Sequence, residues 1–560
     1  MQQVLNRKPR KTNLVLNIID TLLMLVFGFI ALSHRHAIAA PEPFLIPTVS
    51  PQPLPEKIPD TIVISKFEIV GNTVLPDTTI QEAVKPYLLR PLTFIELLEV
   101  QQAITNLYVE RGYITTGARI PPQTIANRTV TVEIVEGKIS EIQILGLTKL
   151  HPEYIRSRIA IATTPPLNQD RLITALQLLK LNPLIETVSA ELAPGLNPGE
   201  SWLRLEVQEA KAKELRIVVD NDSVTSIGGT RSRILYRDRN FFGFGDALEL
   251  GYSRTDGSES WERIQYVVPL GARGTSLRLS HNYNDSDIIV EPFVSLDLGS
   301  VNRGYEATLI QSLIAQPDQE LYVGLAFTHQ NTQFSLMDRG FPTLARGSDP
   351  EGRTILSTIR LVQEYISRGE THFLALSSQF AIGIDAFEAT INSDNLPDSK
   401  YLLWRGGFNY LQALSPKTNL NVKLGLQFAN ESLFTQEQLT LGGVDTVRGY
   451  VKDRFQGDNG FYISTEINHT IWRVPQWNLA LEISPFWDFG RIWNTDDFEL
   501  PGNNIVSSLG IGANLTIGDR LKARIDYGIP LIKDKLEASA PESDALQDRG
   551  IYFSLDYQAF

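Results

Sequence analysis

Apolar and polar residues alternate along the chain from about Leu215 to the C-terminus. In one such run, Val422, Leu424, Leu426 and Phe428 are apolar, and polar residues or glycine stand between them. An alternation of period two gives a β-strand one apolar face and one polar face. A soluble β-sandwich would show the same pattern, so the period by itself does not place these strands in a membrane.

The length of the alternating region favours a membrane barrel over a sandwich. A membrane-spanning β-strand needs about ten residues, so this region has room for about sixteen strands and their turns. An open sheet edge would leave unpaired backbone groups in lipid, which requires the sheet to close. We therefore predict a transmembrane antiparallel β-barrel of about sixteen strands over residues 211–560.

The last residues of the chain depart from the pattern expected of an outer-membrane strand. Ile551, Phe553, Leu555 and Tyr557 share one parity, whereas the terminal Phe560 falls on the other. A bulge or a frayed end would reconcile them. The sequence leaves both possibilities open.

Two smaller units precede the predicted barrel, in residues 61–138 and 139–210. Helical spacing predicts helices over residues 78–89, 94–111, 152–162 and 170–181. Strand patterns fall at residues 62–64, 67–70, 129–135, 139–145, 187–192 and 202–207. The shared order of strands and helices indicates an internal repeat of two small α+β domains. A generic α+β domain fits the periodicity of either unit equally well.

The N-terminal residues have the features of export signals. Residues 1–40 combine a basic start, an apolar core and the small residues Ala37 and Ala39, as a cleaved secretory signal peptide does. A single anchoring helix is the alternative, but Asp20 would be costly in the middle of a permanent membrane span. Residues 41–60 are rich in proline, which favours an extended linker.

Composition and motifs exclude several classes of function. The formal net charge of -13 argues against a nucleic-acid partner, because phosphate binding needs a basic surface. The chain has no cysteine, which excludes disulfides, thiolate metal sites and cysteine nucleophiles. The sequence also lacks a nucleophile elbow, a zinc-protease helix and a phosphate-binding loop. We expect no enzyme activity, no catalytic residue, no cofactor and no metal.

One polar segment interrupts the alternating strands at residues 441–453. It includes the tetrapeptide formed by Val447, Arg448, Gly449 and Tyr450. A hairpin turn with a solvated arginine is one interpretation. The tetrapeptide also resembles the signature of the inward-folded loop in two-partner secretion transporters, the outer-membrane family that includes ShlB, FhaC and HecB. That resemblance implies that Gly449 allows a sharp turn and that Tyr450 packs on the inner wall of the barrel.

A second motif, Phe486-x-Asp488-x-Gly490, resembles the strand motif of the same family, whose aspartate faces the lumen. The resemblance implies that a loop at about residues 439–458 folds into the barrel and that Arg448 pairs with Asp488. A guanidinium can bridge a carboxylate with two parallel, charge-assisted hydrogen bonds. The alternative is that Asp488 is simply a solvated lumen residue.

The resemblance extends to the rest of the chain after the linker. The pattern Phe67-x-Ile69-x-Gly71 and the tandem arrangement make residues 61–138 and 139–210 similar to POTRA domains. Asn240, Gly245 and Asp246 resemble the motif near the start of the family's barrel.

The family resemblance implies a function in protein secretion. It implies a monomeric outer-membrane translocator whose two periplasmic POTRA domains capture an unfolded secreted partner protein of the haemolysin or adhesin type. The porin-like barrel, surrounded by outer-membrane lipid, would form the pore of this type V two-partner secretion system. A barrel-assembly factor of the same superfamily is the nearest alternative. A passive porin and a soluble adhesive or carbohydrate-binding β-protein are more distant ones.

Overall fold

The computed structural model describes residues 61–337, 339–341, 345–393, 396–500, 502–535 and 545–560. The expected signal peptide (1–40) and proline-rich linker (41–60) lie outside the described residues. From Thr61 onward, two α+β units are followed by a closed β-barrel. Among the described residues, no helix is both long enough and apolar enough to cross a membrane.

The first α+β unit is built on a sheet in which the first long strand pairs with the last. Its elements are β1 (Ile62–Val63), β2 (Lys66–Val70), α1 (Asp77–Val84), β3 (Pro91–Leu92), α2 (Phe94–Val109), β4 (Gly117–Arg119) and β5 (Thr129–Val135). Strand β5 lies between a parallel β2 and an antiparallel β4. Apolar side chains of the sheet and both helices form one buried core that includes Phe67, Val100, Ile104 and Val132.

Helix α1 is shorter than the sequence predicts. The apolar spacing predicts a helix over residues 78–89, but α1 ends at Val84 and a 3₁₀ turn, Lys85–Tyr87, follows it. Pro86 has no backbone N–H to donate, so the α-helical bonding pattern cannot continue through it.

The second α+β unit repeats the topology of the first. Its elements are β6 (Lys138–Leu145), α3 (Pro152–Ala162), α4 (Gln169–Leu181), β7 (Ile185–Pro194) and β8 (Glu200–Glu209). Strand β8 lies between a parallel β6 and an antiparallel β7. Both sheets therefore join their first and last strands in the same way, as the repeat in the sequence predicts.

The barrel is one closed antiparallel sheet of sixteen strands, which confirms the predicted fold class. These strands are β9 (Lys213–Asp220), β10 (Arg231–Asp238), β11 (Ala247–Arg254), β12 (Ser258–Pro269), β13 (Thr275–Asp287), β14 (Leu298–Ala315), β15 (Gln319–Leu336), β17 (Arg353–Arg368), β18 (His372–Gly383), β19 (Leu402–Ser415), β20 (Thr418–Ala429), β23 (Asn459–Val474), β24 (Leu479–Trp493), β25 (Ile505–Ile517), β26 (Leu521–Pro530) and β27 (Ile551–Gln558). Three shorter strands, β16 (Arg339–Gly340), β21 (Leu439–Leu441) and β22 (Phe455–Gly457), lie in the connections.

The alternation read from the sequence separates the outer and inner faces of the barrel wall. On β25 and β26, the apolar side chains of Leu509, Ile511, Ile525 and Tyr527 are exposed on the outside. Asp526, between two of them, is buried on the inside. An apolar exterior and a polar interior are what a barrel in lipid requires.

The connections between strands differ in length on the two sides of the barrel. Short turns, such as residues 316–318 and 416–417, lie on one side, and longer connections, such as residues 288–297 and 430–458, lie on the other. The amide of His151 donates a 2.7 Å hydrogen bond to the carbonyl of Gly243, between β10 and β11. The second α+β unit is therefore attached on the side of the short turns.

The C-terminal strand explains the parity of Phe560. Leu555 and Tyr557 are exposed on the outer face, whereas Tyr552 is buried on the inner face. Strand β27 ends at Gln558, so Phe560 lies beyond the ladder that enforces the alternation. Phe560 itself is exposed, and its carbonyl still accepts a long hydrogen bond of 3.4 Å from the amide of Leu215. The amide of Ala559 also donates to the carbonyl of Leu215 at 2.8 Å. The last two residues therefore both bond to Leu215, and two residues opposing one is the arrangement of a β-bulge, which shifts the parity of Phe560.

The turn between β10 and β11 carries the motif residues Asn240, Gly245 and Asp246. The Asp246 carboxylate accepts hydrogen bonds from the amide of Phe242 at 3.0 and 3.1 Å, and the side-chain oxygen of Asn240 accepts one from Gly245 at 2.9 Å. A Cβ atom at Gly245 would lie 2.2 Å from the ring of Tyr154 on α3. The glycine thus allows the turn to press against the second unit.

A carboxylate at the end of β8 fixes the segment that meets this turn. Glu209 accepts hydrogen bonds from the amides of residues 148–150 at 2.6, 2.9 and 2.9 Å. Burial acts to raise the pKa of Glu209, but the three amide bonds outweigh it and lower the pKa below its ordinary value. The ionised carboxylate therefore stabilises the junction with the barrel.

We expect the junction to loosen at acidic pH. A carboxyl group with a lowered folded-state pKa stabilises the fold fully above its ordinary pKa, about 4.5, and loses that effect as the pH falls through the folded value. Hydrogen exchange of residues 148–151, corrected for the intrinsic rate, should therefore increase from pH 7 to pH 3. Glu209→Gln should already show the faster exchange at pH 7 and a weaker pH dependence. Equal pH responses in both proteins would contradict this role of Glu209.

Candidate functional site in the barrel lumen

The connection between β20 and β23, residues 430–458, folds back into the barrel. Its two arms pair as the antiparallel hairpin of β21 and β22, with Leu441 opposite Phe455. Between the arms, Gly442, Gly443 and Gly449 adopt positive φ angles of 117°, 84° and 94°. These conformations are accessible to glycine at little cost, which lets the tip turn sharply. We refer to residues 439–458 as the inward loop.

Arg448, at the tip of the inward loop, forms a bidentate ion pair with Asp488 on β24. The guanidinium Nε lies 2.9 Å from Oδ2 and Nη2 lies 3.0 Å from Oδ1. The backbone amide of Arg448 also donates to Oδ2 at 3.0 Å. Arg448 is 4% exposed and Asp488 is 0% exposed. The structure therefore brings the two sequence motifs together in the geometry that gives a guanidinium its strongest carboxylate contact.

Further charges on the barrel wall complete this site. Glu466 on β23 accepts a 2.6 Å hydrogen bond from Nη1 of Arg448, and Asp526 on β26 lies 3.6 Å from the same nitrogen. Arg524 bridges these two acids, with Nη2 2.7 Å from Glu466 and Nε 2.6 Å from Asp526. Two arginines thus share three carboxylates. The sequence marks Arg524 and Asp526 as polar-face residues, but it gives no sign that they meet Glu466.

The other residues of the strand motif shape the wall beneath the loop. The ring centroid of Phe486 lies 3.3 Å from Cζ of Arg448, which adds a cation–π contact to the ion pair. A Cβ atom at Gly490 would lie 2.8 Å from Leu441 and 3.1 Å from Val447. Phe486 therefore supports the guanidinium, and Gly490 leaves room for the apolar side of the loop.

The tip of the loop approaches the backbone of β26 closely. A Cβ atom at Gly528 would lie 2.6 Å from the amide nitrogen of Gly449 and 2.9 Å from the carbonyl carbon of Arg448. Tyr450, which is buried, donates from its hydroxyl towards the carbonyls of Ser507 at 3.0 Å and Ile532 at 2.7 Å. The tyrosine packs on the inner wall, and Gly528 supplies space that the sequence does not reveal.

A second attachment holds the residues just before the inward loop on another part of the wall. Glu437 is buried between Arg360 on β17 and Arg405 on β19, with its Oε2 3.0 Å from Nη2 of Arg405 and its Oε1 bonded to Arg360. Gln427 on β20 donates to the carbonyl of Glu437 at 2.8 Å. No sequence motif identifies Glu437, because its partners lie about 30 and 80 residues away along the chain.

The residues of the site attach the inward loop to the barrel wall. Arg448 and Tyr450 of the loop bond to carboxylates and backbone carbonyls of the wall. Glycines of the wall leave room for the loop to approach. Within the described ranges, no group of three or more histidine or acidic residues is arranged to hold a metal ion. The arrangement fixes the position of the inward loop on the barrel wall.

The fold and the inward loop together define a class of outer-membrane barrels that carry an α+β region on their periplasmic side. Residues 199–515 match the family described as haemolysin secretion/activation protein ShlB/FhaC/HecB, and residues 62–137 match the ShlB-type POTRA domain. The chain belongs to this family of two-partner secretion transporters. It is an outer-membrane protein, and its POTRA region lies in the periplasm.

Individual relatives are transporters of the same kind. The chain is 24% identical over 454 residues to the heme/hemopexin transporter protein HuxB of Haemophilus influenzae, covering 78% of this chain and 77% of the relative. It is 23% identical over 465 residues to the outer membrane transporter CdiB of Dickeya dadantii, covering 80% and 78%.

Solved structures share the fold. CdiB from Escherichia coli superposes with a TM-score of 0.66 at 18% identity, covering 91% of this chain and 93% of that one. CdiB from Acinetobacter baumannii gives 0.60 at 18% identity, covering 97% and 98%. BamA from Haemophilus ducreyi lacking POTRA domains 1-3 gives 0.52 at 18% identity, covering 89% and 100%.

Loss of the guanidinium should release the loop tip. Arg448→Ala leaves Asp488 and Glu466 with less compensation in a buried position, and removing one partner of such a pair typically costs about 3–5 kcal/mol. Arg448→Lys keeps the charge but loses the planar fork, so its effect should be smaller. Hydrogen exchange of residues 439–458 in the folded protein measures both. As a control, Arg254→Ala removes an exposed arginine paired with Glu259, and equal loop exchange in the two alanine variants would contradict the holding role.

A methyl group at Gly528 should also displace the tip, because the atoms it would meet belong to backbone that cannot rotate away. We expect Gly528→Ala to increase exchange at residues 446–452. Gly324→Ala is the matched control, because its nearest contact would be an ordinary 3.5 Å. If the loop amides of Gly528→Ala remain as protected as those of Gly324→Ala, the close approach is not needed to seat the loop.

Proposed function

We propose that this protein exports a secreted partner protein, in unfolded form, across the outer membrane through the barrel. The observation that carries the proposal is the inward loop, which lies in the lumen and is attached there by the buried pair of Arg448 and Asp488. A loop that is held by a few polar contacts has two alternative positions, one seated on the wall and one released from it. Its release widens the path through the lumen.

The α+β region suits the capture of an extended chain. The sheet of each unit has two outer strands, β2 and β4 in the first and β6 and β7 in the second. An extended segment can add to such an edge by main-chain hydrogen bonds, which give affinity without demanding a particular sequence. Attachment of the second unit to the turn between β10 and β11 keeps a captured chain close to the barrel on the periplasmic side.

The motif residues take separate roles in this proposal. Arg448 and Asp488 form the releasable attachment, and Phe486 supports the guanidinium. Val447 and Gly490 provide the apolar fit between loop and wall. Gly449 and Tyr450 shape and anchor the tip. The protein acts as a monomer surrounded by outer-membrane lipid, because one barrel carries the complete site.

We propose a large exoprotein of the haemolysin or adhesin type as the cargo. The family description, haemolysin secretion/activation protein, supports this class of partner. No enzyme activity is part of the proposal, and the gain in free energy comes from folding of the cargo outside the cell.

Comparing the proteins released by cells with and without the gene tests the proposal. Deletion should remove one large protein from the medium, and complementation with the unaltered gene should restore it. Complementation with Arg448→Ala, at an equal level of folded barrel, should restore less. The abundance of other outer-membrane barrels should stay unchanged. A general loss of those barrels, with released proteins intact, would instead favour a barrel-assembly factor and overturn the proposal.

A further inference from the structure

The barrel closes where β27 meets β9, and this junction has the shortest ladder between any two of its sixteen strands. The register runs only from Ser554 opposite Asp220 to Gln558 opposite Arg216, which is five residues on each strand. We refer to this junction as the closing seam. A short ladder supplies few backbone hydrogen bonds, so other contacts must help to keep the seam closed.

Asn221 extends the ladder beyond the pair of Ser554 and Asp220, with its backbone amide, which donates to the carbonyl of Phe553 at 3.2 Å, and with its side chain. The amide group of Asn221 donates from Nδ2 to the carbonyl of Ile551 at 2.9 Å and accepts at Oδ1 from the amide of Phe553 at 2.7 Å. Beyond the end of β9, the side-chain amide of Asn221 thus bonds to β27 in the way that a backbone peptide group of a longer strand would. Through Asn221, the hydrogen bonding of the seam extends to Phe553 and Ile551.

Gln547 joins the seam to the inward loop. Its Nε2 donates to the carbonyl of Ser223 at 2.8 Å and to that of Asn221, both on the β9 side of the seam. Its Oε1 accepts from the amide of Lys452 in the inward loop at 2.9 Å. Gln547 is 1% exposed, so water cannot replace these partners.

Two more contacts connect the loop to opposite sides of the seam. The hydroxyl of Tyr552 on β27 donates to the carbonyl of Tyr450 at 2.6 Å and accepts from the amide of Gly449 at 2.8 Å. The ammonium of Lys452 lies 3.2 Å from Oδ1 of Asp222, which follows β9. Residues 449–452 are therefore bonded to β27 and to the segment that directly follows β9.

We propose that residues 449–452 of the inward loop act as a staple across the closing seam, with Gln547 and Tyr552 as the positioning residues. When the loop is seated, both side chains have partners and the seam is held on each side. When the loop withdraws, Gln547 and Tyr552 lose their hydrogen bonds to residues 449–452, and the closed seam loses the contacts that these bonds provide. Seating of the loop and closure of the barrel are thus coupled, whatever protein the barrel exports.

Hydrogen exchange of the full-length protein in detergent micelles tests the coupling. Gln547→Ala should accelerate exchange of residues 213–220 and 551–558 by roughly tenfold, because a buried hydrogen-bond partner is lost. Tyr552→Phe, which removes one hydroxyl from a folded wall, should accelerate the same segments. Exchange of residues 275–315, which span β13 and β14 and are separated from the seam by several strands, should not change.

Gln427 provides a matched control. It is an equally buried glutamine that holds the other end of the same connection through the carbonyls of Glu437 and Asp458, at 2.8 and 3.0 Å. Gln427→Ala should accelerate exchange at residues 430–441 and leave the closing seam as protected as in the unaltered protein.

An engineered disulfide across the closing seam tests whether the faster exchange arises from opening of the seam. The chain has no cysteine, so Val219→Cys with Leu555→Cys introduces a single pair at positions that face each other across the seam. Opposed residues of an antiparallel pair lie within the Cα separation that a disulfide spans. Oxidation of this pair should cancel the effect of Gln547→Ala on residues 213–220.

Three results would overturn the proposal. One is unchanged seam exchange in both Gln547→Ala and Tyr552→Phe. Another is an equal acceleration at residues 275–315, which would mean general destabilisation of the barrel. The third is an acceleration of the seam by Gln427→Ala as large as that by Gln547→Ala, which would remove any special role of residues 449–452.

Discussion

A guanidinium buried inside a polar lumen determines where the inward loop lies. Arg448 makes two parallel bonds to Asp488 and a third ionic bond to Glu466. Taking these charges out of water is costly, and only a complete set of charge-assisted bonds compensates for it. A partly seated loop would bury charges without their partners. The loop therefore has one favourable position on the wall, and intermediate positions are disfavoured.

The closed barrel supplies the rigid frame that this interaction needs. The acids that meet Arg448 lie on β23, β24 and β26, and their positions are fixed by continuous ladders of backbone hydrogen bonds. At the other end of the connection, Glu437 lies between arginines of β17 and β19. The connection thus crosses the lumen from one part of the wall to another. Any polymer that passes through the barrel meets this loop.

The same loop links three parts of the molecule that are separate in the sequence. Its tip contacts the strand motif around Asp488, and its returning arm contacts Gln547 and Asp222 on the two sides of the closing seam. On the periplasmic side, the POTRA region is attached through the turn between β10 and β11. All of these attachments are made to one continuous hydrogen-bonded sheet.

The sequence by itself determined the class of fold and the two motifs. Period-two alternation distinguishes the wall from the helical POTRA units, and the patterns around Arg448 and Asp488 are local. Glu466, Glu437, Gly528 and Gln547 could not be identified in that way, because an acidic, glutamine or glycine residue on a barrel strand or connection is ordinary until its neighbours are known. Only the tertiary structure decided their roles, because barrel closure and strand register bring together residues that are distant in the chain, such as Gln547 and Asn221, which are 326 positions apart.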